Sequence, residues 1–162
     1  FIELVSAEES VRRIELVEAI TSGKKHVSLA YIESNQNFDH SDPQTLAVDE
    51  GDNIIVNGKK SLVLNGSNAD HLIVSVSYQD EQALILIDKQ QSGVSSNEYP
   101  TIDGQTCAEI SFKDVNVSNE AILAKSYEAE ELLNEAINLA TLCVSAESIG
   151  CMTSCYLKKG GW

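Results

Sequence analysis

The chain has 162 residues, 43% of them apolar and 22% charged, enough to bury about two-thirds of its unfolded surface in one domain without disulfide or metal staples. Its 25 acidic residues against 11 basic ones give a net charge of −14, a field that repels nucleic-acid phosphates and anionic membrane surfaces. No run of consecutive apolar residues approaches the roughly 18 that cross a bilayer, and no basic-then-apolar leader pattern opens the sequence.

The first segment predicts a helix. Ser6 and Glu9 fit the capping-box pattern, in which each side chain satisfies a free backbone N–H. Val11, Ile14, Val17 and Ile20 then form one stripe, and Gly23 followed by Lys24 and Lys25 suits a C-terminal stop.

From about His26 to Val117 the period changes to that of short strands. Val27–Ile32, Thr45–Asp49, Asn53–Val56, Lys60–Leu64, His71–Tyr78, Ala83–Asp88, Val94–Asn97 and Thr106–Val117 are the candidates, with a polar loop over Ser34–Pro43. Glu50-Gly51-Asp52 and Asn65-Gly66 mark turns, and Asn57-Gly58 between two β-like runs predicts a tight hairpin. Many short strands without intervening helices indicate an antiparallel barrel or sandwich.

The tail from about Glu128 to Lys158 contains no proline, and Leu133, Ile137, Ala140, Val144, Cys151 and Cys155 share a helix face. A helix of some 30 residues is about 45 Å long, more than the barrel alone covers, so it requires other helices beside it. The closing Lys158-Lys159-Gly160-Gly161-Trp162 has the look of an interruption.

Cys143, Cys151 and Cys155 fall within one helical pattern and are expected to be small buried hydrophobes, and all four cysteines, Cys107 included, to be reduced thiols of a cytoplasmic protein. His26, His40 and His71 lie far from them in sequence, so no metal set is assigned. There is no nucleotide-binding glycine motif and no nucleophile elbow. Asp39 and Asp42 are expected to be solvated loop residues, and Lys59-Lys60 either solvated or meeting a phosphate of a coenzyme.

The order of segments resembles the acyl-CoA dehydrogenase family. Ser28-Leu29-Ala30-Tyr31-Ile32-Glu33 with a loop ending at Asp39 is similar to that family's A-L-T-E-P-G-A-G-S-D stretch. Gly51–Lys60 resembles its G-D-x-Y-x-L-N-G-x-K, and Asn65-Gly66 with Ala69-Asp70 its N-G-x-x-A-D strand. Phe112-Lys113-Asp114-Val115-Asn116-Val117 is similar to F-D-D-V-x-V, and Ala146–Gly150 to the A-x-x-V-G of the first long helix of its C-terminal domain. Tyr99–Gln105 and Lys60–Leu64 look most like the small-subunit type known as pimeloyl-CoA dehydrogenase. Its relatives are two-subunit enzymes, including those acting on steroid side chains.

The resemblance implies an α+β fold, with an antiparallel β-barrel (26–125) between the end of an N-terminal helical part (1–25) and the start of a C-terminal helical domain (126–162). It also implies α,β-desaturation of an acyl-CoA thioester: a carboxylate takes the α-proton while hydride passes to flavin adenine dinucleotide, FAD. Electron-transfer flavoprotein is the implied acceptor and another acyl-CoA dehydrogenase subunit the implied oligomeric partner. The cofactor-contacting stretches become Ile32-Glu33-Ser34 and Leu62-Val63-Leu64, and the acyl-CoA loop becomes Asn37-Phe38-Asp39. Where the family offers threonine hydroxyls and a tryptophan face to the flavin, Ile32, Leu64 and Leu62 stand instead, and its common arginine is Thr141. From residues alone, Ile32, Leu62 and Leu64 would be ordinary barrel core.

The family's catalytic glutamate belongs to later helices, so no catalytic residue is carried over. This chain on its own is expected to be inactive and to retain no flavin. The alternatives are a flavin-poor structural subunit of a two-subunit complex, and a non-enzymatic β-barrel binding module.

Overall fold

The computed structural model describes residues 11–34 and 40–159; the capping box at Ser6 and Glu9 lies outside them. Helix α1 (Val11–Thr21) ends where Gly23 adopts a φ of +72°. The Lys24 and Gly23 N–H groups return to the carbonyls of Ala19 and Ile20, closing the last turn. Eight strands follow: β1 (Val27–Ala30), β2 (Leu46–Glu50), β3 (Asn53–Leu64), β4 (His71–Tyr78), β5 (Glu81–Asp88), β6 (Val94–Pro100), β7 (Thr106–Ser118) and β8 (Ile122–Lys125). A short 3-10 turn (Asn119–Ala121) precedes β8, and helix α2 (Ser126–Lys159) closes the described chain.

The strands form one sheet in the order β6-β7-β3-β2-β4-β5-β8. Neighbours along this path are antiparallel except β2 and β4, which run parallel; β1 is also parallel to β4 and shares with β2 the edge opposite β5. No ladder joins β6 to β8 among the described residues. Yet Ile122 of β8 belongs to the same apolar cluster as Ile54 and Val56 of β3, Val74 of β4, Ile85 of β5 and Ile110 of β7, and Val94 of β6 packs against it. A flat sheet could not bring both of its ends to one cluster, so the sheet is curled into a barrel around it. The expected α+β barrel with flanking helices is therefore the observed fold. A second cluster (Ile73, Leu84, Leu123, Ala124 and Ala129, with Val27, Leu29 and Leu132 against it) seats the first turns of α2 on β4, β5 and β8.

Asn57-Gly58 is not a hairpin. It lies within the continuous strand β3, opposite a bulge in β7 where the register passes from Val56↔Val115 to Gly58↔Phe112. The Asn57 amide fills this bulge: its Oδ1 accepts the Asp114 N–H at 2.8 Å, and its Nδ2 donates to Asp114 Oδ1 at 3.1 Å. Gly58 serves a close approach, since a β-carbon there would lie 2.7 Å from the Cα of Thr45. The tight two-residue turn is instead Gln79-Asp80, both at positive φ, between the paired residues Tyr78 and Glu81. The expected turn at Gly51 stands, joining β2 to β3.

Helix α2 buries only its start. Ala129, Leu133 and Ala136 are covered, whereas Leu139, Leu142, Val144, Ile149, Met152, Tyr156 and Leu157 are exposed. The cysteines follow this split: Cys107 is buried in β7, and Cys143, Cys151 and Cys155 are free and exposed, which corrects the expectation of burial for those three. The physical reason is that nothing in the described chain packs beyond the first turns of α2. Over Ser126–Leu157 this helix is also long and apolar enough, by length and composition alone, to cross a membrane. Counting consecutive apolar residues missed this because Asn138, Thr141, Ser145, Glu147 and Ser148 interrupt the run while adding only one charge.

Candidate functional site

The two stretches implicated in cofactor contact lie side by side. The Ser61 N–H donates to the Ile32 carbonyl at 2.8 Å, and the Ser34 and Ser61 hydroxyls are hydrogen-bonded at 2.8 Å. Beneath this crossing sits a buried ion pair. Lys60, with 0% of its surface exposed, donates from Nζ to Glu33 Oε1 at 2.5 Å and to Ser75 Oγ at 3.0 Å. The Glu33 carboxylate also accepts the Thr45 hydroxyl at 2.7 Å, the Thr45 N–H at 3.0 Å and the Gln44 N–H at 2.8 Å. One carboxylate thus ties together the segment after β1, the entry to β2, and β3, while Lys60 adds β4.

The electrostatics follow from this burial. Desolvation pushes the Lys60 ammonium down to about 8, and the hydrogen bond and charge of Glu33 oppose that fall. For Glu33 desolvation acts upward, but the hydrogen bond and charge of Lys60, with the Thr45 hydroxyl and Gln44 N–H, outweigh it and hold the carboxyl below its usual range. The pair is ionised at neutral pH.

The strand phase decides which side chains face outward. Along β3, Ile54, Val56 and Lys60 are buried at even spacing. Between Lys60↔Ile110 and Val63↔Ala108, β3 then carries one extra residue, and Leu62 takes a φ of +50°. That bulge reverses the phase. Val63 enters the core at 1% exposure, while Leu62 and Leu64 turn outward at 49% and 63%. Reading Leu62 and Leu64 as core is therefore incorrect. Of the six implicated residues, Glu33 and Val63 are buried, Ile32 is half-buried, and Ser34, Leu62 and Leu64 are exposed. Leu62 and Leu64 are thus exposed apolar side chains on the strand that meets Ile32 and Ser34 through Ser61. The Glu33 carboxylate is engaged inward, by Lys60, Thr45 and Gln44.

Asn37, Phe38 and Asp39 lie outside the described residues. Of the Lys59-Lys60 pair, Lys60 is buried, which corrects the solvated reading for it, whereas Lys59 is exposed and forms a surface ion pair with Glu109 across to β7. Ser61, Ser75, Thr45 and Gln44 were missed by sequence reasoning, because nothing in their spacing points to a buried carboxylate. Among the described residues, no group of three His, Cys, Asp or Glu is placed to hold a metal ion.

Comparison with known proteins gives this geometry its context. Residues 28–115, more than half of the chain, match the family model of the acyl-CoA dehydrogenase middle domain. The chain is 23% identical over 135 residues to acyl-CoA dehydrogenase FadE29 of Mycobacterium tuberculosis, covering 79% of this chain and 35% of that protein. Among solved structures it resembles a glutaryl-CoA dehydrogenase from Mycobacterium smegmatis in complex with FADH2, with a TM-score of 0.73 and 20% identity over 79% of this chain and 35% of that one. It also resembles the ChsE4-ChsE5 complex of Mycobacterium tuberculosis, with a TM-score of 0.75 and 21% identity over 85% and 37% of the two chains. The chain spans 35–40% of the length of the curated relatives it matches.

Proposed function

The chain belongs to the acyl-CoA dehydrogenase family, and from that premise we propose that it supplies the β-barrel side of a flavin-dependent active site that desaturates an acyl-CoA thioester. The observation carrying this reading is the adjacency of the 32–34 and 62–64 segments, joined by the Ser61 N–H to Ile32 carbonyl hydrogen bond, with Leu62 and Leu64 exposed just beyond it. Ile32, Leu62 and Leu64 would hold one face of a FAD ring, and Ser34 would meet its polar edge. FAD, when bound, supplies the hydride acceptor. The residues of this chain orient the ring and exclude water from it; none of the described residues is assigned the role of base.

On this reading the exposed length of α2 opens a helical domain that covers the other side of the site, with 1–25, 26–125 and 126–162 as the proposed parts of the chain. Asn37, Phe38 and Asp39 belong to the acyl-CoA loop, with electron-transfer flavoprotein as the acceptor and a cytoplasmic setting. The small-subunit, pimeloyl-type wording of Tyr99–Gln105 favours a hetero-oligomer.

A second reading has its own support. Leu62 and Leu64 stand outward where hydroxyl and indole groups would strengthen flavin contact, and they donate no side-chain hydrogen bond. On that reading the chain is a flavin-poor subunit whose partner holds the working cofactor. The test is to purify the complete polypeptide alone and with its partner subunit and to record the visible spectrum. Flavin absorbance from the polypeptide alone supports the first reading. Absorbance only with the partner supports the second, and none in either preparation refutes both. The isolated 162-residue chain, incubated with excess FAD and freed of unbound cofactor, is expected to stay colourless and to oxidise no acyl-CoA.

A further inference from the structure

A buried ion pair is poor evidence of a stabilising device, because desolvating two charges offsets most of their attraction, and well-packed neutral groups often hold a fold as firmly. What Glu33 and Lys60 do control is arrangement. Glu33 sits between half-buried Ile32 and exposed Ser34, and Lys60 immediately precedes the bulge that turns Leu62 outward. Leu62 occupies a left-handed backbone conformation that disfavours a branched side chain, so its outward pose needs fixed anchors on both sides. Val63 in the core is one anchor. Lys60, held by Glu33 and Ser75, is the other. The Glu33 carboxylate fixes its own segment to Gln44 and Thr45 at the same time.

We infer that Glu33 and Lys60 are positioning residues, whose buried pair locks the 32–34 segment against the Leu62 bulge and so sets the surface that receives the flavin. This rests on the flavin reading for what the surface binds, but not for the lock itself. The Ser61 N–H, which donates to the Ile32 carbonyl across the crossing, reports the lock directly.

The decisive variant is E33Q/K60M in the complete polypeptide, which removes both charges at nearly constant volume. The E33Q amide keeps one oxygen for Thr45 but no acceptor for the Gln44 N–H. The expected result is therefore a melting temperature within about 4 °C of the parent's, with Ser61 amide exchange at least about tenfold faster and flavin retention reduced by at least about tenfold, a loss worth about 1.4 kcal/mol. Parent-like Ser61 exchange would overturn the inference. So would faster exchange spread evenly over β3, β4 and β7, which marks general loosening. If the double variant does not fold, Ser75→Ala removes one acceptor of Lys60 and leaves the ion pair; Ser61 exchange is then expected to rise about threefold, and no change would again overturn the lock. If the parent itself takes up no flavin, the flavin reading fails while Ser61 exchange still decides the role of the pair.

Discussion

Gly58→Ala tests the packing at the centre of the barrel. In the structure Gly58 has a φ of +153°, and an added β-carbon would lie 2.7 Å from the Cα, Oγ1 and Cγ2 of Thr45. The clash is with backbone as well as side chain, so Thr45 or the whole of β3 must shift. The backbone conformation costs about 1–3 kcal/mol for a residue with a side chain, and overpacking at a tight site costs about 1–3 kcal/mol more. The sum, about 2–6 kcal/mol, corresponds to a fall in melting temperature of about 4–24 °C for a chain of this size. Gly51→Ala is the control: it shares a positive φ, +66°, but nothing lies within 4 Å of the added atom, so its cost is about 1 kcal/mol. Urea unfolding of the two variants beside the parent measures the difference. If Gly58→Ala costs no more than Gly51→Ala, then Asn57-Gly58 is a solvent-facing turn, and the continuous β3 described here is wrong.

Three further outcomes are expected. Lys60 has a folded pKa of about 8 against an ordinary 10.5, so between those values the unfolded chain binds more protons. Its contribution to stability therefore rises with pH through that window, by about 3 kcal/mol; urea midpoints from pH 7.5 to 10.5, taken as the difference between parent and E33Q/K60M, check this, and a flat difference contradicts it. Ile110→Ala removes a side chain with no exposed surface from the main core and is expected to cost about 2–5 kcal/mol in chemical denaturation. In the isolated native chain a thiol reagent should modify Cys143, Cys151 and Cys155 rapidly and Cys107 only after unfolding; protection of the three helix thiols would show that α2 is covered.

The alternation of hydrophobic residues was enough to place β1, β2 and β4 to β7, and the 3.6-residue period placed both helices; β3 was read as two strands because Asn57-Gly58 has the wording of a tight turn but sits opposite a bulge in β7. Strand β8 was missed because Ile122, Leu123 and Ala124 are all buried, and a strand covered on both faces shows no alternation. The end of β6 was cut short because Pro100 reads as a breaker, although β6 lies at the end of the sheet, where proline is tolerated. The site was legible in part. Its two segments could be named from their wording, but their side-chain directions could not, since the single extra residue before Val63 reverses the phase of β3 and leaves no mark in composition. Lys60 reads as a solvated lysine until β3 is seen to carry it in phase with Ile54 and Val56. Its partner lies 27 residues away along the chain, beyond any local pattern.

The central claim is that this barrel forms one side of a flavin site that takes an acyl-CoA. It is tested most directly by anaerobic titration of the complete polypeptide, with its partner subunit present, against a panel of acyl-CoA thioesters, following the visible flavin band. The account predicts a bound flavin that at least one thioester bleaches, with bleaching weakened in E33Q/K60M. A bound flavin that no acyl-CoA bleaches, or a complex that binds no flavin at all, would contradict it.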